Sequence, residues 1–355
     1  SAQPDTWFEI TPDNRVRIIM AKVEMGQGIH TTLAQIAAEE LDAAWEQIDV
    51  VQATTNNGPG DALGTQASAS ITGSWVPLRT AAATMREMLR TAVANRLTTT
   101  VDNLETVNGT VQLVGDPTSA LTYGEVVALT STWPEITETP PLKSRSNYKY
   151  IGRSQQRVDI PAKVRGEAIY SYDVKVDGML YGAIAHPPHI GATIINVDPN
   201  DAADLPGVVQ LVIQQRDSFV GLVANTRTRA WKALNRINIT WSDPTALNNE
   251  AIQAQLTPAE GRLQIQEIGN APAAIVSGQS YEAVYESPLA VHATMEPQAS
   301  LADVQPDRAT VWAGTQFQEQ TRADVATALG MSVDAVEIIP TYIGGGFGRK
   351  LVVES

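Results

Sequence analysis

Hydrophobic Val16, Ile18 and Met20 alternate with Arg15 and Arg17, the period of a half-buried strand. The strand leads through Val23-Glu24-Met25 into Gly26-Gln27-Gly28, after which Leu33, Ile36, Ala37, Leu41 and Ala44 recur at helical spacing. Thr31 or Thr32 is placed to cap that helix, and Glu39, Glu40 and Asp42 fall on its outer face. The pattern predicts strand, glycine-flanked glutamine, helix. A Gln between two glycines at a helix entrance leaves its amide and nearby backbone N–H groups open to a polar ligand, and a capped turn with an exposed Gln has the same signature.

Residues 56–73 are weakly apolar and rich in glycine and small polar residues, which predicts a loop. Pro77 is then expected to open a helix whose inner face is Leu78, Ala81, Met85, Met88, Leu89, Ala92 and Val93, with Arg79, Arg86, Glu87 and Arg90 outside. Val107-Asn108-Gly109-Thr110-Val111 is a hairpin signal. The prolines at 134, 140 and 141 predict an extended connector over 131–149. Beyond it, strands are expected at 168–170, 179–185, 192–195, 208–213 and 237–241, with a helix at 228–234. Further strands are expected at 281–285, 309–312 and 336–339, together with a helix capped by Thr321 and ended by Gly330.

With 355 residues the chain has room for two or three domains, since a domain takes roughly 100–200 residues. A net charge of −14 argues against a function built on neutralising nucleic-acid phosphates. No window approaches the roughly 18 unbroken apolar residues of a membrane span. There is no cysteine, so thiolate-held zinc and cysteine-ligated iron–sulfur clusters are excluded within these residues. His186 and His189, the nearest histidine pair, are separated by Pro187 and Pro188, which forbids the helical geometry that would aim both at one metal.

Thr341-Tyr342-Ile343-Gly344-Gly345-Gly346-Phe347-Gly348-Arg349-Lys350 follows the predicted strand at 336–339. Four glycines around one aromatic let the backbone run close to something, or form a simple turn. The stretch lacks the Gly-Lys-Ser/Thr of a phosphate loop, and Arg349 stands where a dinucleotide fingerprint needs its third glycine.

Taken together, 344–350, Thr315-Gln316, His292-Ala293-Thr294-Met295-Glu296-Pro297 and Met25-Gly26-Gln27-Gly28-Ile29-His30 resemble the xanthine oxidase and aldehyde oxidase family of molybdenum hydroxylases. The stretch from Arg157 to Gly166, continued by 178–181 and 206–209, resembles that family's hammerhead domain. Because the Gly-Gln-Gly motif precedes this region and the Gly-Phe-Gly loop follows it, the order resembles the branch that holds the isoquinoline 1-oxidoreductase beta subunit. The resemblance implies an α+β fold in which molybdopterin-binding segments at 1–149 and 244–355 flank an aldehyde oxidase/xanthine dehydrogenase a/b hammerhead domain at 150–243. It implies that Gln316 hydrogen-bonds an oxo ligand of the molybdenum and that Phe347 and Gly348 lie against the metal centre, with Gly345, Gly346 and Arg349 beside the cofactor. Gly26, Gln27 and Gly28 would contact the pterin, and Ser70 and Thr72 would hold the pterin or its phosphates.

The implied cofactor is molybdopterin, as the cytosine dinucleotide, with molybdenum held by the pterin's sulfurs and by no side chain. The implied reaction is hydroxylation of an N-heteroaromatic such as isoquinoline, or oxidation of an aldehyde, with oxygen from water. Electrons would leave through [2Fe–2S] clusters on a partner small subunit. Xanthine-type members carry a Glu after the loop's Lys, whereas this chain has Leu351, which argues against purines. The family's general-base Glu lies beyond Ser355, in a C-terminal half or a split subunit, so the chain alone is expected to hold no stable molybdenum and to be catalytically silent. Members of this branch often carry an export signal that is not seen here, and a periplasmic location is expected over a cytoplasmic one. The other class of function to weigh is a cofactor-free binding or assembly module that keeps the fold.

Overall fold

The computed structural model describes residues 4–189, 191–215, 218–243, 248–256 and 268–351. The chain divides into two compact units, Ser1–Val174 with Val291–Glu354, and Lys175–Ala290.

In the first unit a single helical turn, α1 (Pro4–Trp7), leads to β1 (Phe8–Ile10) and β2 (Val16–Met20). Val16, Ile18 and Met20 are fully buried and Arg17 is exposed, as the alternation requires. α2 (Ile29–Leu41) then carries the chain to β3 (Ile48–Gln52), which pairs parallel to β2, while β1 pairs antiparallel on the other side. α2 begins at Ile29, ahead of the expected threonine cap. Gly28 makes the turn at φ 82°, and the Glu24 carboxylate accepts the amides of Gly28 and His30 that a Thr would otherwise have to satisfy.

The next helix, α3 (Ser70–Leu97), also starts before its expected opening, so Pro77 lies inside it. An interior proline costs about 3 kcal/mol. Leu78, Leu89 and Val93 are buried to within 2%, and each returns roughly 1.5–3 kcal/mol, so packing against α2 carries the helix through. The acids and bases that helical spacing puts outside are instead at this interface. Glu39, Glu40, Arg79 and Arg86 are all buried. Glu40 pairs with Arg79 at 2.6 Å, and Glu39 accepts the amides of Lys149, Tyr150 and Ile151. A buried carboxylate must be paired or hydrogen-bonded, and these partners seat the proline-rich 131–149 stretch and its continuation on the first unit.

β4 (Leu104–Val107) and β5 (Thr110–Leu113) form the expected hairpin, with Asn108 and Gly109 at φ 46° and 77° as a two-residue primed turn requires. β6 (Asp116–Thr122), α4 (Tyr123–Leu129) and the short α5 (Ile160–Arg165) complete this part. Residues 168–170, expected as a strand, form one isolated bridge, Tyr170 to Tyr342.

The second unit has a sheet of β7 (Tyr181–Ala185), β10 (Phe219–Ala224) and β9 (Val208–Gln214), and a pair of β8 (Ile194–Asp198) with β11 (Asn238–Trp241). α6 (Arg227–Leu234), capped by Thr226, buries Ala230, Ala233 and Leu234 against Val220 and Leu222. α7 (Asn249–Leu256) and α8 (Ala271–Ser277) follow. The strand expected at 281–285 does not form, and Tyr281, Val284 and Tyr285 are exposed. Their β propensity describes a fit to a half-buried pleated surface, and no neighbouring strand supplies one among the described residues.

Back in the first unit, β12 (Ser300–Val304) pairs antiparallel with β13 (Ala309–Ala313), and β13 parallel with β14 (Val336–Pro340). α9 (Gln318–Leu329) connects the latter two. Gly330 ends α9 at φ 66°, but Thr321 is not its cap: Phe317 holds that position, and the Thr321 hydroxyl bonds Thr315 and the Phe317 carbonyl from within the helix. A single 3₁₀ turn, Arg349–Leu351, ends the described residues.

Candidate functional site

The loop leaving β2 is shaped by a buried acid. Glu24 is 1% exposed, and its Oε1 accepts the amides of Gly26 and Gly28, both at 2.9 Å, while Oε2 accepts that of His30 at 3.2 Å. Gly26, at φ 104°, takes a backbone shape closed to other residues without strain. The Gln27 side chain folds back on its own loop, accepting from the Met25 amide at 2.7 Å and donating to the Val23 carbonyl at 3.0 Å. His30 is buried beneath the loop, which pushes its pKa below the ordinary value, and its Nε2 lies 2.9 Å from the Lys22 carbonyl, so the proton sits on Nε2.

Gln316, between β13 and α9, is 3% exposed and held from four sides. Its amide N–H donates to the Lys350 carbonyl at 2.8 Å and its carbonyl accepts from Thr65 at 2.7 Å. Its side-chain Nε2 donates to the Thr65 carbonyl at 2.9 Å, and Oε1 accepts the Gly348 amide at 3.1 Å. One side-chain hydrogen and one lone pair remain beyond these bonds.

The loop leaving β14 runs against both. Ile343 donates to the Glu24 carbonyl at 3.1 Å. A Cβ on Gly346 would stand 2.5 Å from the Met25 sulfur and 2.6 Å from Gln316 Oε1, and one on Gly344 would stand 2.5 Å from the Glu296 Cβ. Phe347 is 68% exposed and sits at φ 55°, between Gly345 and Gly348, which also have positive φ. A phenylalanine in that conformation costs of order 1–3 kcal/mol, and such strain clusters at ligand sites. Arg349 donates its amide to the Gly346 carbonyl, closing the turn. Lys350, 4% exposed, pairs with Glu296, whose Oε2 also accepts the Gly344 amide at 2.8 Å.

Gln316, Gly346, Gly348 and the Met25–Gly28 loop are thus brought together, with exposed Gln27 and Phe347 on the loops. Ser70 is buried at the first turn of α3 and Thr72 is exposed there; Gln316 is bonded to Thr65, five residues before that helix, and to neither of them. Ala67 and Ser68, just before that helix, are both left-handed, at φ 51° and 55°. An open depression of ≈ 580 Å³ lies between 60–62 and Phe317, Glu319 and Gln320.

Arg157, Asp159 and Lys163 lie in the stretch that resembles the hammerhead domain, with no place expected for them at the glycine loops, yet Arg157 contacts Glu24 and Gly26. Burial works against the charge on Asp159, but hydrogen bonds from Arg157 and Lys163 outweigh it and hold the carboxyl at about 2, below its ordinary 3.8. The alternation of Arg157 and Asp159, with Lys163 four residues on, was the available signal.

The molybdopterin cofactor-binding domain family matches residues 1–179, and a second family of the same description matches 255–355. The chain is 34% identical over 356 residues to a nicotinate dehydrogenase subunit of Pseudomonas putida, covering 97% of this chain and 30% of that protein. It is 32% identical over 409 residues to the beta subunit of isoquinoline 1-oxidoreductase from Brevundimonas diminuta (99% and 51%). It is 28% identical over 367 residues to the membrane-bound aldehyde dehydrogenase [pyrroloquinoline-quinone] of Gluconacetobacter polyoxogenes (98% and 47%). The chain therefore spans about half, or less, of the length of these curated relatives. A buried glutamine ringed by glycine loops, in a chain matched at both ends by the same cofactor-binding description, belongs to the molybdopterin cofactor-binding domains of the xanthine oxidase-type molybdenum hydroxylases.

Proposed function

We propose that these residues form the cofactor-gripping part of a subunit that hydroxylates N-heteroaromatic rings or oxidises aldehydes, taking its oxygen from water. The observation that carries this reading is the convergence of the two glycine loops on Gln316, where added Cβ atoms would collide and exposed Phe347 is held on strained backbone. Those glycines let the two loops close on Gln316, while Gly26 and Gly348, with nothing within 4 Å of an added Cβ, leave the main chain open to a flat, polar group. When bound, the molybdenum–pterin group supplies a two-electron oxidant beside the substrate.

Gln316 offers its remaining amide hydrogen to that group from a fixed position, since its other bonds hold the side chain before anything binds. Gly345, Gly346, Gly348 and Arg349 present backbone, Phe347 presents a ring face, and Gly26, Gln27 and Gly28 present the loop that Glu24 holds in shape. Ser70 and Thr72 stand at the amino end of a 28-residue helix, a favourable place for phosphate. Neither motif acid serves as general base: Glu24 is committed to three amides and Arg157, and Glu296 to Lys350, Gly344 and Ser171. The resemblance implies a general-base Glu outside these two motifs.

The cytosine dinucleotide form, a [2Fe–2S] partner subunit and a hammerhead identity for 150–243 belong to the same proposal. With no cysteine among these residues, a thiolate-held cluster would sit outside them. Leu351 in place of a carboxylate supports an apolar ring or aldehyde over xanthine, since an unpaired polar edge costs about 1–3 kcal/mol. The test is the enzyme purified with its partner from a host that makes the cofactor. We expect about one molybdenum per chain and dye reduction with isoquinoline or benzaldehyde well above that with xanthine. Gln316→Ala should lower kcat. Absence of molybdenum, or xanthine turnover at the same rate, would overturn the reading.

A further inference from the structure

One segment, 157–173, touches both glycine loops. At its start the Arg157 guanidinium is fixed by Asp159 through Nε at 2.9 Å and Nη2 at 2.6 Å, and Asp159 is in turn held by Lys163 at 2.6 Å. So anchored, Arg157 donates to the Gly26 carbonyl at 3.0 Å and to Glu24 Oε1 at 3.2 Å. At its end the Ser171 hydroxyl lies 3.0 Å from that of Thr341, and the Ser171 amide donates to Glu296 at 3.4 Å. Between them the Ile169 carbonyl accepts the Tyr342 amide at 3.1 Å, the Tyr170 and Tyr342 rings lie 6.0 Å apart, and Lys163 stands 5.1 Å from the Tyr342 ring. None of these contacts involves exposed Gln27 or Phe347.

We propose that 157–173 is a clasp that sets the spacing of the two loops, and that Arg157 is the positioning residue through which it acts on the cofactor. The proposal rests on the cofactor reading above. Among the described residues the direct hold between the two motifs is slight: the Ile343 bond to Glu24, the approach of Gly346 to Met25 and the tilted His30 and Tyr342 rings 6.4 Å apart. Gly26 has no side chain by which to be steered, so its carbonyl and the Glu24 carboxylate are the available handles, and Arg157 takes both. The fork geometry matters, because a lysine reaches one handle at a time. Arg157 touches no substrate. It acts by keeping the amides of Gly26 and Gly28 on Glu24, so that the loop meets the cofactor already shaped.

Charge balance is the structural alternative to separate. Arg157 and Lys163 face Glu24 and Asp159, two cations to two carboxylates, and Arg157→Met leaves the acids in excess. Arg157→Met/Asp159→Asn restores the balance, one cation to one carboxylate, and leaves both Glu24 oxygens for the Gly26, Gly28 and His30 amides, but not the clasp. In the enzyme with its partner, three quantities are read: molybdenum retained per chain on dialysis, amide exchange at Gly26 and Gly28, and the thermal midpoint after the cofactor is stripped. Arg157→Met loses the bonds to the Gly26 carbonyl and to Glu24, and should shorten retention roughly ten-fold or more, the value of at least one charge-assisted hydrogen bond, and speed exchange at both glycines. The double variant should regain the thermal midpoint and not the retention, and Arg157→Lys should fall between. Gly346→Ala serves as the control for the cofactor reading itself.

If Gly346→Ala loses the cofactor while Arg157→Met keeps it, the clasp is wrong and the site stands. If both keep it, the site reading fails as well. Recovery of retention by the double variant would show that only charge balance mattered, and would overturn the proposal. Should Arg157→Met not accumulate, the double variant alone decides by the same criterion.

Discussion

Gly346→Ala isolates the close approach on which the site depends. Gly346 is outside the left-handed region, so alanine brings no backbone penalty and the cost is steric. The new methyl would stand 2.5 Å from the Met25 sulfur and 2.6 Å from Gln316 Oε1, where ordinary contact begins at 3.4 Å. Met25 is a flexible thioether at the edge of the loop and can swing away. Gln316 cannot: withdrawing its oxygen by the needed ~0.8 Å breaks the Gly348 bond and strains the Thr65 bond. Two hydrogen bonds at about 1 kcal/mol each, within the 1–3 kcal/mol range for overpacking, give an expected destabilisation of about 2–3 kcal/mol. Urea unfolding of the chain should show it as a lower midpoint at unchanged slope, and the assembled enzyme should carry less molybdenum. A midpoint equal to wild type together with full molybdenum would mean that Gly346 is not seated against Gln316.

Arg79→Met should strand the buried Glu40 carboxylate at the α2–α3 contact and cost about 3 kcal/mol; urea melts showing a loss below 1 kcal/mol would mean that Arg86 suffices alone. Asp159, held at about 2 against an ordinary 3.8, contributes stability that is complete above pH 4 and is lost as pH falls through 2. Asp159→Asn should therefore cost up to about 2 kcal/mol at pH 7 and flatten the stability–pH curve between 4 and 2; parallel curves for the two proteins would contradict it. Gly73→Ala, in the first turn of α3 with nothing within 4 Å of the added methyl, should raise stability by about 0.5–1 kcal/mol, measured by the same melts, and a loss would show a crowding that the structure does not contain.

The elements that pattern alone made legible are those with a single buried face: β2, the hairpin at 104–113, and β13 with β14. Where the structure departs from the pattern, the deciding partner is remote in sequence. Glu40 is read as a solvent-facing acid until Arg79, 39 positions on, is known to lie against it. Pro77 reads as a helix start because local rules price the lost N–H and know nothing of the packing that offsets it. Tyr281 to Tyr285 has strand composition and, among the described residues, no edge to join. At the site, resemblance marked Gln316, the Gly-Gln-Gly loop and Phe347, but not why they hold still. That depends on Glu24, Arg157, Glu296 and Lys350, charged residues whose meaning lies in whom they meet.

The order β1, β2, α2, β3 and the order β12, β13, α9, β14 are the same figure drawn twice, antiparallel then parallel, with the helix between the second and third strands. The copies abut where Thr55 and Ile338 exchange bonds of 3.1 and 2.9 Å. Gln27 and Gln316 then occupy matching places, each in the bend from second strand to helix. Such internal symmetry means that neither copy holds the site by itself: Gln316 is fixed by Thr65, which follows the first copy, and by Gly348 and Lys350, which follow the second. The candidate site is a seam, and prising the copies apart would erase it while leaving both sheets whole.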